Sequence, residues 1–251
     1  MKTNMKKYIT LLAAAMCASI CGAEVFKLSS PDGKLNAEID VTNQFKITAS
    51  IGGMPLVKGA SVYMLTTRNR CYSGGPYSLD RRFYRGDSPS QDYNQLEFSY
   101  TNNGYKVYVR AYNDALAFRA ELKAHPYVEN IIDEVIEIPS RNEPSCCELP
   151  QMIRFDGLNS AAFVEACLDG YPKFNLHYDS KKKAFVSSFK KIKNDDEFES
   201  DYIYKIDGKA RFLPWRAFTL AYGYADPRIK ALEDRLANDT SMKKIERKML
   251  E

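Results

Sequence analysis

Residues 161–176 read Ala-Ala-Phe-Val-Glu-Ala-Cys-Leu-Asp-Gly-Tyr-Pro-Lys-Phe-Asn-Leu. The apolar run Ala161 to Val164 predicts a strand buried in a sheet. Glu165 breaks it, and a carboxylate beside an apolar strand is costly unless something neutralises it. Asp169-Gly170 and Tyr171-Pro172 predict a turn, and Phe174 and Leu176 open another strand. A strand therefore ends on one acid, next to a turn that carries Asp169 and Tyr171. That arrangement suits a cation or a polar ligand. It also suits a glutamate that points to solvent or pairs with an arginine.

Strand and turn alternate outward from this stretch. Pro31-Asp32-Gly33 is a turn signal, after which Leu35, Ala37, Ile39 and Val41 alternate with polar residues. Phe45, Ile47, Ala49 and Ile51 keep the period of two up to Gly52-Gly53, and Met54 to Val57 follow. Leu96, Phe98 and Tyr100 lead into Thr101-Asn102-Asn103-Gly104, and Val107 and Val109 return on one face. Asn113-Asp114 turns the chain into Ala115 to Leu122, where Leu116, Phe118, Ala120 and Leu122 share a face. Arg119 inside that strand needs a partner. With Ile131 to Ile138, the strands around Lys181-Lys182-Lys183, and Phe218 and Leu220, these segments predict an all-β, antiparallel protein with a buried face. Asn69 to Gln91, rich in Gly, Ser, Arg and Asp, reads as a long loop. Its Arg81, Arg82 and Arg85 are solvated charges or contacts to a sugar or anion. From Asp226-Pro227 the period changes: Asp caps, Pro suits a first turn, and Ile229, Leu232 and Leu236 recur at helical spacing.

Residues 1–23 predict a signal peptide: Lys2, Lys6 and Lys7, an apolar stretch to Ile20, then small residues ending at Ala23. Cleavage after Ala23 places the mature chain in the periplasm or outside the cell. Of 36 basic residues three lysines leave with the leader, so 33 face 32 acidic ones, a net charge of +1. No basic face for nucleic acid follows. No later run of about 18 apolar residues predicts a membrane span. Cys71, Cys146, Cys147 and Cys167 remain, free or paired in one or two disulfides. His125 and His177 are the only histidines, and without His-x-x-x-His or Cys-x-x-Cys a zinc centre is unsupported. There is no Gly-x-Ser-x-Gly and no phosphate-binding glycine loop. Glu165 and Asp169 form one candidate pair of carboxylates for glycoside hydrolysis.

Three separated motifs carry a resemblance. The pattern apolar-apolar-Glu-Ala-x-Leu-x-x-Tyr-Pro-x-x-x-Leu at 163–176 resembles the signature of the N-terminal domain of family 97 glycoside hydrolases. The segment Ala-Tyr-Asn-Asp-Ala-Leu-Ala-Phe-Arg-Ala-Glu-Leu at 111–122 resembles that family's Tyr-Asp hairpin leading to Ala-Phe-Arg. Pro214-Trp215-Arg216 resembles the end of the family domain. The motifs stand in family order, and the resemblance runs from about Val25 to Leu220.

The resemblance implies an antiparallel β-sandwich of the galactose-mutarotase-like type over 24–222, with 223–251 as a C-terminal helical tail. It implies a periplasmic or secreted setting in polysaccharide use, and calcium, with Glu165 as the ligand this domain contributes. The other ligands and the catalytic acids belong to a (β/α)8 barrel that no positions here match. The chain is therefore expected to be a non-catalytic, carbohydrate-associated module, truncated relative to the family and with a weak calcium half-site. The alternative is a hydrolase of α-glucosidase or α-galactosidase type, completed by a separate catalytic domain or acting through Glu165 and Asp169. An aldose epimerase shares the implied fold, but its chemistry wants a placed histidine, and His125 and His177 carry no such signal.

Overall fold

The computed structural model describes residues 24–238 except 43, 67–69, 72–75, 101–104, 123–129, 141–148, 157–158, 168–170, 172–173, 190–191, 194–198, 201–203, 206–210 and 224. The leader, His125, Asp169, Cys146, Cys147 and the end of the expected helical tail lie outside the described residues.

The chain forms β1 (Val25–Ser29), β2 (Leu35–Asp40), β3 (Phe45–Ile51), β4 (Met54–Thr66), β5 (Arg70–Cys71), β6 (Tyr77–Tyr84), β7 (Tyr93–Tyr100), β8 (Tyr105–Tyr112), β9 (Ala115–Leu122) and β10 (Asn130–Pro139). There follow β11 (Gln151–Asp156), β12 (Asn159–Ala166), β13 (Phe174–Asp179), β14 (Ala184–Phe189), β15 (Ile192–Lys193), β16 (Glu199–Ser200), β17 (Tyr204–Lys205), β18 (Arg211–Phe212), β19 (Trp215–Leu220) and the helix α1 (Pro227–Ala237). Among the described residues two antiparallel sheets hold the main strands. One runs β1-β2-β3-β4-β10-β14-β13, the other β11-β12-β19-β9-β8-β7-β6. The expected all-β sandwich is the observed architecture.

Alternation decides which side chains meet between the sheets, because successive side chains point to opposite faces. Leu35, Ala37 and Ile39 on β2 and Phe45 and Ile47 on β3 line the inner face of the first sheet. Leu96, Phe98, Val107, Val109, Leu116 and Phe118 line that of the second. Phe45 and Phe98 meet edge to face, with ring centroids 5.6 Å apart, an arrangement the ring quadrupoles favour. Each such side chain, fully buried, contributes about 1.5–3 kcal/mol.

The second sheet is buried on its outer face too. Every residue of β9 is buried, and β8 is buried except at Lys106. Ala115, Ala117, Ala162, Ala166 and Ala217 keep this outer surface low, so α1 can lie close, with Ile229, Leu232 and Leu236 turned onto it. Asp226 caps the helix, its Oδ1 accepting from the Arg228 N–H at 3.0 Å, with Pro227 in the first turn. The tail expected from the sequence is, over its described part, a packed layer.

The expected loop at 69–91 is a correction. Its core, Tyr77–Tyr84, is the edge strand β6, paired residue by residue with β7 from Tyr77↔Tyr100 to Tyr84↔Tyr93. An edge strand with one wet face carries no apolar period, and charges such as Asp80, Arg81 and Arg82 protect it from pairing with other chains. No helix among the described residues is long and apolar enough to cross a membrane.

Capping makes α1 dependent on Asp226. Hydrogen bonds from Arg228 and Tyr222 hold its carboxyl well below the usual carboxylate range. Asp226→Ala is expected to cost about 1 kcal/mol, read as a lower urea midpoint with amide exchange accelerated first in 227–237. In the wild type this contribution is complete above the ordinary aspartate value of 3.8 and is lost as pH falls through the depressed one.

Candidate functional site

Glu165 and Arg216 stand opposite each other in the β12–β19 register. Phe163 and Phe218, two residues away on each strand, face the other sheet, so Glu165 and Arg216 face it as well. There β10 brings Glu134, on the same face of its strand as Ile136 and Ile138. The Arg216 guanidinium reaches both acids: Nη1 lies 2.9 Å from Glu165 Oε2 and Nη2 lies 3.1 Å from Glu134 Oε2. Tyr171 closes the group, its hydroxyl donating to Glu134 Oε2 at 2.8 Å, and its ring centroid lies 5.9 Å from the guanidinium carbon. One cation thus joins a carboxylate of each sheet.

Burial separates the two acids. The Arg216 side chain is 0% exposed and that of Glu134 5%, whereas Glu165 keeps 18%. The Glu165 carboxyl is pushed up from its ordinary 4.5, first by burial; Arg216 opposes the rise, while Glu134 and Glu233 add to it. Its approach to Arg216 is close without hydrogen-bond alignment, so the attraction is chiefly electrostatic. Two carboxylates on one guanidinium leave the group with a net negative charge, and only Glu165 presents it outward. It can accept from a hydroxyl or add one ligand to a cation.

Other candidates fall elsewhere. Asp169, the second member of the expected acid pair, lies outside the described residues, as does His125. His177 is exposed on β13. Cys167 is exposed and in the left-handed region, φ 63°, and its Sγ lies 3.7 Å from the Leu236 carbonyl oxygen. Arg119 is buried, its guanidinium 4.2 Å from the Phe212 ring and 5.0 Å from Trp215; aromatic faces hold it. A calcium ion wants six to eight oxygens. No group of three or more His, Cys, Asp or Glu among the described residues is placed to hold a metal, and a guanidinium already occupies one side of Glu165. The described residues do not by themselves fit a calcium site.

The sequence singled out Glu165 as a site residue, carried Arg216 only within the Pro214-Trp215-Arg216 motif, and missed Glu134. The signal was there: Glu134 interrupts an apolar strand as Glu165 does, and two such acids near one strand arginine invite a shared partner.

The chain resembles solved structures in this architecture. A family 97 glycoside hydrolase in complex with acarbose, from Pseudoalteromonas sp. strain K8, aligns with a TM-score of 0.56 at 13% identity. The alignment covers 78% of this chain and 36% of that one. A β-arabinopyranosidase aligns with a TM-score of 0.57 at 13% identity, covering 78% of this chain and 40% of its own. The fold is one found in family 97 glycoside hydrolases. The chain spans well under half the length of these family 97 and arabinopyranosidase structures. No protein-family model matches the sequence, and no curated protein matches it.

Arg216 and Glu165 differ in what their loss leaves behind. Arg216→Met strands a buried Glu134 beside Glu165 and is expected to cost about 3–5 kcal/mol. Glu165→Gln keeps an oxygen for Arg216 and stays within about 1 kcal/mol of wild type at neutral pH. The raised Glu165 value sets the sign with pH. The folded chain holds this proton more tightly than the unfolded one, so its contribution is complete below about 4.5 and is lost as pH rises through the raised value. Urea titrations from pH 4 to 8 should show Glu165→Gln gaining on wild type as pH rises.

Proposed function

We propose that this chain is a non-catalytic, carbohydrate-associated β-sandwich module, exported and processed to begin at Glu24. The observation that carries the reading is the acidic cluster in a fold shared with glycosidases. Hydrolysis of a glycoside needs an acid and a second carboxylate on opposite sides of the scissile bond. Here the second carboxylate of the cluster, Glu134, is sealed between the sheets on Arg216 and Tyr171. Glu165 alone meets solvent, suited to hydrogen-bonding a hydroxyl.

A second reading is favoured by the share of the neighbours the chain spans, 36–40%. In it Glu165 serves a centre completed by a separate catalytic barrel, which supplies the acids and the remaining calcium ligands. Calcium then binds this chain alone only weakly, through one carboxylate.

The purified mature chain is expected not to turn over aryl α-glucosides or α-galactosides, while binding neutral oligosaccharides measurable by calorimetry. Turnover by the chain alone that disappears in Glu165→Gln would overturn the non-catalytic reading. Turnover that arises only with an added family barrel, and needs Glu165, favours the second reading. Absence of any oligosaccharide binding removes the carbohydrate assignment.

A ligand at its own Kd adds about 0.4 kcal/mol of stability, worth roughly 1–2 °C for a domain this size. Millimolar calcium is therefore expected to move the wild-type melting temperature by no more than that. A shift of several degrees in wild type, absent in Glu165→Ala, would mean that this chain holds a complete site.

A further inference from the structure

A column of flat groups runs across the outer face of the second sheet. It starts at Trp215, which is fully buried. The Arg110 guanidinium lies 4.3 Å from the Trp215 ring and 4.2 Å from the ring of Tyr93, and its Nε donates to Gln95 Oε1 at 2.8 Å. Tyr84 then stacks on Tyr93, centroids 4.9 Å apart and planes 24° from parallel. Trp215, Arg110 and Tyr93 are buried; Tyr84 is half-buried. The column ends on an aromatic face held by its neighbours before any ligand arrives.

That end lines a cleft of about 530 Å³ between the turn at 85–91 and α1. Both walls are fixed. In the turn, the Asp87 N–H donates to Gln91 Oε1 at 2.8 Å, and a Cβ at Gly86 would fall 2.2 Å from Gln91 Cβ, so only glycine fits. On the helix side Arg235 lies 4.4 Å over Tyr112 and donates to the Ser90 carbonyl and to Asp114, both at 2.8 Å. The rim offers Arg85, Gln91, Asp114, Asp234 and Asn238.

We propose that this cleft binds a neutral oligosaccharide, with one sugar ring against Tyr84 and its hydroxyls on the rim. The size is that of a small-ligand site. Three aspartates and two arginines line it, and Arg235 is committed to Asp114 and Ser90, so an anion is not favoured. No metal-holding group exists among the described residues. A wholly apolar ligand would bury the rim's hydrogen-bonding groups unpaired. A sugar matches both features, an aliphatic C–H face for the ring and hydroxyls for carboxylates and amides. The inference rests on the carbohydrate reading above and adds where the ligand sits, away from Glu165.

Calorimetric titration of the mature chain with maltotriose and raffinose tests it. Binding is expected to weaken at least about ten-fold, roughly 1.4 kcal/mol, in Tyr84→Ala and in Asp234→Ala. Tyr84→Phe, which keeps the ring, retains binding, and so does Phe83→Ala, a change at an exposed neighbour. Circular dichroism of each variant separates lost binding from lost fold. Undiminished binding in folded Tyr84→Ala and Asp234→Ala overturns the cleft, and loss in Glu165→Gln would then move the sugar to the acidic cluster with the carbohydrate reading intact. Binding of neither trisaccharide at millimolar concentration overturns the cleft and that reading together.

Discussion

Arg216 carries a full positive charge into the space between the sheets, and the two carboxylates it meets come from opposite layers. Most of the core is held by apolar contacts, in which one side chain replaces another of similar volume at small cost. The cluster tolerates much less. A one-residue slip of β19 against β12 would turn Arg216 onto the outer face and leave Glu134 buried without its cation. Buried ion pairs contribute little net stability compared with apolar substitutes. Here the cluster's value lies in fixing which residues of β12 and β19 face each other and how they meet β10.

Much of the fold was readable because antiparallel sheets with one packed face print their burial as a period of two. Leu35, Ala37 and Ile39, or Leu96, Phe98 and Tyr100, announce an inner face directly. The edge strand β6 did not, since its solvent face and protective charges erase the period. The outer face of β7, β8 and β9 was misleading in a subtler way. Gln95, Arg110 and Glu121 look like surface residues, yet all three are buried. Their polar ends are satisfied sideways, Arg110 by Gln95 and two aromatic rings, Glu121 by the Tyr108 hydroxyl. Local pattern cannot show this, because it depends on which strands become neighbours.

The acidic cluster repeats the lesson. Glu165 and Arg216 sit in recognisable motifs, and their partnership follows once β12 and β19 are known to pair. Glu134 belongs to the other sheet, and only the stacking of the layers brings it in. Fold likeness at 13% identity carries the architecture alone. The chemistry has to be argued from the few groups that reach solvent, Glu165 at one place and Tyr84 at another.

The strand order has a consequence for how the protein is made. The second sheet runs β11-β12-β19-β9, so the last long strand of the chain sits between two that are synthesised well before it. Until Leu220 has emerged, β9 and β12 each present an open row of backbone donors and acceptors, a template for pairing with other molecules. The helix that covers their outer face arrives later still. Assembly therefore waits on contacts distant in sequence, which slows it. A nascent chain that stalls before β19 has two sticky edges and no means of closing them.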